Sequence, residues 1–96
     1  MNETALMREG TKVAAILREN GHVKDAEALE LELAVQSNLK LQLEAAERIE
    51  TMCHIKSLGD KNIKTMAWTA WLGNLGRLRR ATSQTIKKLS REIAGA

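Results

Sequence analysis

Cys53 and His54 stand side by side, and their types could make a nucleophile and its base. That chemistry needs the two groups within hydrogen-bond reach, usually with a third group to orient the base. On a helix, sequence neighbours point about 100° apart and do not face each other. The pair therefore reads as a small buried thiol beside a surface imidazole. His22 is the one other histidine. Two histidines and one cysteine fall short of a zinc set at motif spacing. The glycines of "LGNLGRLRR", Leu72 to Arg80, lack the Gly-Lys-Ser/Thr ending of a phosphate loop and read as a hinge. "RRAT", Arg79 to Thr82, has the basic spacing of a kinase substrate site, a match that arises readily by chance. Acidic pairs such as Glu30 with Glu32 and Glu47 with Glu50 read as solvated helix faces. These residues make no catalytic set and call for no cofactor or metal. They point to a binding protein rather than an enzyme.

Two groups of residues could carry binding. Trp68 and Trp71 are three apart and share one side of a helix. Tryptophan is strongly enriched at interface hot spots. In a chain with no other aromatic residue the pair also serves as core material, so Trp71 is expected inside and Trp68 as the contact. The second group is basic: Arg77, Arg80, Lys87, Lys88 and Arg91 gather opposite the narrow stripe Leu78, Thr82, Ile86, Leu89 and Ile93. Such a face suits an acidic protein surface or nucleic-acid phosphates. No helix-turn-helix spacing is evident, and no aromatic platform for single strands is present. A basic amphipathic helix can also lie on a membrane surface, but this stripe holds Thr82 and no Phe or Trp.

The elements that must position these groups are helical. The chain has 96 residues, enough for one small domain with a modest core. It contains no proline, and its apolar content is mostly Leu, Ala, Ile and Met. Leu, Ala, Met, Glu, Lys and Arg are strong helix formers. An all-α fold of three to four helices follows. A lone cysteine excludes an internal disulfide. "MNETALMREGTK" has charges where a signal peptide needs an apolar run, and no apolar run reaches the ~20 residues of a membrane span. A cytoplasmic protein is expected.

Charge is divided along the chain. Residues 1–53 carry six Lys/Arg against ten Asp/Glu, a net −4, and residues 54–96 carry nine against two, a net +7. The two parts, an acidic helical hairpin over 1–58 and basic helices over 60–96, present different surfaces or attract each other within the fold or across a dimer.

The pattern predicts a first helix over about Glu3–Asn20, capped by Asn2, with Leu6, Val13, Ile16 and Leu17 on one face. Gly10 inside it costs about 1 kcal/mol relative to Ala, so tertiary contacts must help hold it. Gly21 suits the left-handed position after its end. The stretch "LELELAVQSNLKLQL", Leu29 to Leu43, alternates like a β-hairpin. Its residues are helix formers and its turn would lack glycine, so the expectation is one long central helix over Val23–Leu58, stopped by Gly59. Glu44 and Arg48 would pair on it at i, i+4. Its apolar residues would spread over roughly 200°, more than one neighbour needs. Leu31 and Leu41 are then candidate contacts with a homodimer partner or a second protein. A third helix would start after Asp60 or Asn62, with Ile63, Met66, Ala67, Ala70 and Trp71 on its apolar face. It would break at Gly73, Asn74 and Gly76, and a fourth helix would span Arg77–Ala94.

The stretch "MREGTKVAAILRENGHVKDAEALELELAVQSNLKLQLEAAERIE", Met7 to Glu50, resembles small early-region accessory proteins of tailed bacteriophages. These carry a short helix, a glycine-bearing turn and an "LELE…L…AAERI"-like helix. The resemblance covers the first half of the chain and is one of compositional style. It implies a small non-enzymatic protein in the host cytoplasm that inhibits or modulates a host complex, such as a nuclease or defence system. It carries over no functional residue.

Overall fold

The computed structural model describes residues 4–95. The Asn2 cap and Glu3 lie outside them. The order is α1 (Thr4–Glu19), α2 (Val23–Leu33), α3 (Leu39–Met52), a 3₁₀ turn (Leu58–Asp60) and α4 (Trp68–Ala94), with no strand among the described residues. The all-α expectation of three to four helices holds.

The four helices contact one another in a ring, α1 to α2, α2 to α3, α3 to α4 and α4 back to α1. Neighbours run antiparallel. Gly10 meets Leu33 while Arg18 pairs with Glu30. Glu50 accepts from Ser83 Oγ at 2.9 Å, and Cys53, further along α3, lies beside Leu72 and Leu75, earlier on α4. At about 1.5 Å per residue, α4 is about 40 Å long and nearly spans the 45 Å long axis. The core is the space inside the ring: Leu6, Val13 and Leu17 of α1, Ala26, Leu29 and Leu33 of α2, Ala45, Ala46 and Ile49 of α3, and Trp71, Leu75 and Leu78 of α4. Ile16, expected with the α1 set, is half-buried.

Two expected boundaries are corrected. The long helix Val23–Leu58 is instead two helices broken at residues 34–38. Asn38 makes the break definite, because its Oδ1 accepts from Leu41 N–H at 2.9 Å and caps α3. Asn competes with the helix by bonding nearby backbone, which favours it at caps over helix interiors. The chain leaves α3 at Cys53, not at Gly59, which lies in the 3₁₀ turn. The roughly 200° apolar arc therefore belongs to two helices, each packed on two neighbours of its own chain. Arg48 reaches across to Glu32 on α2 and ties the hairpin together, instead of forming the expected i, i+4 pair with Glu44.

The second correction concerns the glycine cluster. No helix begins at Asp60 or Asn62, and residues 61–67 are irregular. From Trp68, α4 runs unbroken through Gly73, Asn74 and Gly76. Each glycine costs about 1 kcal/mol in a helix, but Trp71, Leu75 and Leu78 are buried at either side, and their packing offsets that cost and keeps the helix continuous.

Gly10 has a packing purpose. A Cβ there would sit 2.6 Å from Leu33 Cδ1, so only glycine lets α1 and α2 approach this closely. At the end of α1, Gly21 turns the chain with φ +82°. The middle of the irregular stretch 61–67 is pinned there by Asn20. Asn20 Oδ1 accepts from Lys64 N–H at 2.7 Å and Thr65 N–H at 3.3 Å. Its Nδ2 donates to Ile16 O at 2.8 Å and Thr65 Oγ1 at 3.0 Å. Beside it, His22 Nε2–H donates to the Asn62 carbonyl at 2.8 Å, and Lys61 pairs with Asp25.

Candidate functional site

The two tryptophans have opposite fates, set by where α4 turns them. Trp71 points into the ring, is wholly buried, and donates from Nε1 to Leu58 O at 2.9 Å. Burying an indole leaves its N–H in need of a partner, and the 3₁₀ turn supplies one. Trp71 therefore anchors the core, as expected, and is not itself a contact residue. Trp68, one turn earlier, is 57% exposed. Its Nε1 donates to Gly59 O at 3.3 Å, so the same turn fixes the direction of the ring while leaving its face in solvent.

Next to Trp68 lies an apolar groove for which the sequence pattern carries no signal. The turn residues after α3 lie across α4 and leave a groove of about 260 Å³ lined by Cys53, His54, Ile55, Leu72, Leu75, Gly76 and Arg79. Trp68 and Leu72 are one helical turn apart on the same side of α4. Ile55 flanks Gly59, whose carbonyl holds Trp68, and is itself 51% exposed. The exposed indole, Ile55 and the groove are thus continuous. Gly76 gives the groove its depth: a Cβ there would meet nothing within 4 Å. Arg79 stands at the far end. Large exposed apolar side chains gathered beside a concave surface mark interaction sites more often than scattered ones do. Ile55 and Leu72 carried no periodic signal, because Ile55 lies in a turn and Leu72 was taken into the glycine hinge.

Chemistry inside the groove is suppressed. Cys53 is buried, and burial pushes its thiol up to about 12, with Arg79 pulling it down and Glu50 pushing it further up. A thiol is a nucleophile only as thiolate, so Cys53 is inert near neutrality. His54, its neighbour in sequence, is exposed. No group of three His, Cys, Asp or Glu able to hold a metal occurs among the described residues.

The remaining expected contacts are dispersed. Among the described residues Leu31 is the most exposed large apolar one at 72%, in an open depression of about 390 Å³ with Glu27 and Glu30 of α2 and its C-cap Ala34. Leu41 is exposed on α3. Neither reaches the groove. Arg77, Arg80, Lys87, Lys88 and Arg91 are all exposed on α4, as expected, while Leu78 and Leu89 turn inward. Ile93, expected to turn inward with them, is exposed.

The basic helix is joined by α1. Glu9 is nearly covered, with Arg8 Nε at 3.3 Å, Lys12 Nζ at 3.5 Å and Arg77 Nε at 3.8 Å from its carboxylate. Burial pushes the Glu9 carboxyl up, but hydrogen bonds and charge from Arg8 and Lys12 outweigh it and hold the carboxyl below its ordinary value. Arg80 and Gln84 complete a pocket of about 200 Å³ over this cluster.

Comparison with protein-family models, curated proteins and solved structures finds no match. No helix is long and apolar enough to cross a membrane among the described residues.

Proposed function

We propose that this chain is a small, non-enzymatic protein-binding module of the cytoplasm that acts by docking one segment of another protein in the Trp68 groove. The observation that carries this reading is the continuity of exposed Trp68 and Ile55 with the cleft over Gly76. An apolar cleft with an aromatic anchor at one end and an arginine at the other fits a helix or strand that presents one or two aliphatic side chains and a carboxylate. Arg79 lines the groove and Lys56, next to Ile55 in sequence, is exposed, so the partner segment is acidic around its apolar core. The resemblance of residues 7–50 to phage accessory proteins adds the class of partner: a host complex that the module inhibits or modulates, such as a nuclease or defence complex.

The test is capture from host lysate on immobilised wild-type protein, on Trp68→Ala and on Gly76→Leu, which fills the cleft. A partner retained by the wild type and lost from both variants is the expected result. In the purified complex the Trp68 indole N–H resonance shifts and the Trp71 resonance stays. Capture that survives both substitutions, or a complex that leaves the Trp68 signal in place, overturns the reading.

A further inference from the structure

We infer that the opposite side of α4 is a second, separate binding face, one that lies along the phosphates of duplex DNA without reading bases. With about 100° per residue, Arg77, Arg80, Gln84, Lys87, Lys88 and Arg91 fall within an arc of about 100°. The arc is centred about 150° around the helix from Trp68, taking the same 100° step. From Arg77 to Arg91 the row is about 21 Å long at 1.5 Å per residue. Arg8 and Lys12 widen it from α1. Among the described residues the acid within it is Glu9, already bonded to Arg8 and Lys12. Arg80, Lys87 and Arg91 form no ion pair among the described residues.

The composition of this face decides its occupant. Protein interfaces are depleted of charge at their centres and rich in apolar anchors. Of the exposed large apolar residues, Trp68, Ile55, Leu31, Leu41, Val23 and Ile93 all lie off this arc. Trp68 and the basic row do not share a surface, so the apolar contact of Trp68 is not available to what binds the row. Duplex DNA presents one negative charge per about 1.7 Å of axis, and neutralising its phosphates releases counterions. A row of cations on a rigid rod, with arginines able to bond phosphate oxygens in pairs, matches that surface. Single strands are held largely by stacking on aromatic rings, and this face has none. The chain therefore has one face for a protein and one for DNA, which would place the captured protein against nucleic acid.

The experiment is fluorescence anisotropy of the full chain with a labelled 20-base-pair duplex, a 20-nucleotide single strand and polyglutamate, each over a salt series. The expected result is duplex binding whose log affinity falls with log salt with a slope of about −4 to −5, from about five phosphates. Arg80→Glu with Lys87→Glu lowers affinity about tenfold or more at low salt and flattens the slope by about 2. Arg80→Gln with Lys87→Gln moves both readings the same way by a smaller amount, with circular dichroism confirming the fold. Trp68→Ala leaves DNA binding unchanged, which separates this inference from the groove reading. Absence of salt-dependent duplex binding, tighter binding of single strand or polyglutamate, or variants that bind DNA as well as wild type overturns it.

Discussion

The seam between α1 and α2 is closed, and the lower seam between α3 and α4 is open. In the first, Gly10 lets Leu33 press against the backbone of α1, and Arg18 with Glu30 fastens the rim. In the second, Gly76 faces empty space beside Ile55 and Leu72. Both glycines weaken their helices by similar amounts. One is compensated by packing inside the chain. The other faces space that none of the described residues fills. Helix-interior glycine alone therefore does not tell a tight contact from a cleft; what decides is the residue across the seam.

The contrast can be broken most severely at Trp71, which keeps the open seam from collapsing. Trp71→Ala removes the largest buried side chain and its hydrogen bond to the Leu58 carbonyl, which keeps only its bond from Lys61 N–H. A loss of about 3–5 kcal/mol is expected, read as a fall in urea midpoint or outright unfolding, and Trp68→Ala is expected to shift the midpoint little. Next is the closed seam. Gly10→Val puts two methyl groups where a single Cβ already meets Leu33, and about 1–3 kcal/mol of overpacking cost is expected in the same measurement.

A third effect is set by pH. The folded Cys53 thiol titrates near 12, whereas an unfolded one does so at about 8.5. Because the folded value is raised, the contribution is full below the unfolded value and is lost as pH climbs toward the folded one. By pH 10 the loss is on the order of 1–2 kcal/mol. Cys53→Ala is expected to remove that part of the alkaline decline; denaturant midpoints at pH 8 and pH 10 in both proteins measure it. The smallest effect sharpens the comparison from the open side. Gly76→Ala meets no neighbour and is expected to stabilise the helix by about 0.5–1 kcal/mol. The same change at Gly10 cannot be made without moving Leu33. Equal gains at both sites would erase the distinction between the seams.

Much of this architecture can be read from residue types. The first helix and its left-handed stop at Gly21 follow from the spacing of Leu6, Val13 and Leu17 and from glycine's freedom at positive φ. The division of labour between Trp68 and Trp71 follows from their spacing and from the need for one large core residue. The break at residues 34–38 was less legible because Leu, Glu and Ala on both sides favour helix whether or not it is continuous. Asn38 held the signal: a cap residue just before an apolar-periodic run. Continuity of α4 through Gly73 and Gly76 could not be read locally, because what keeps it continuous is burial of Trp71, Leu75 and Leu78 against other helices. The groove was hidden for the same reason: Ile55, Leu72 and Arg79 come together only when the turn after α3 crosses α4.

Asn20 has a consequence in time as well as in space. It joins the end of α1 to a stretch 44 and 45 residues later, and that stretch has no helix of its own to hold its amides. Closing so long a loop early is entropically costly, so the Asn20 bonds belong to the last stage of folding, after the four helices have met. In the native ensemble they are then the first to open. The Lys64 and Thr65 amides exchange with solvent together, well before those of α4, at a rate that reports the coming and going of a single carboxamide. Asn20→Ala is expected to leave the ring of helices standing and to loosen the segment that leads into Trp68 around Lys64 and Thr65, while the His22 and Asp25 links still hold its start.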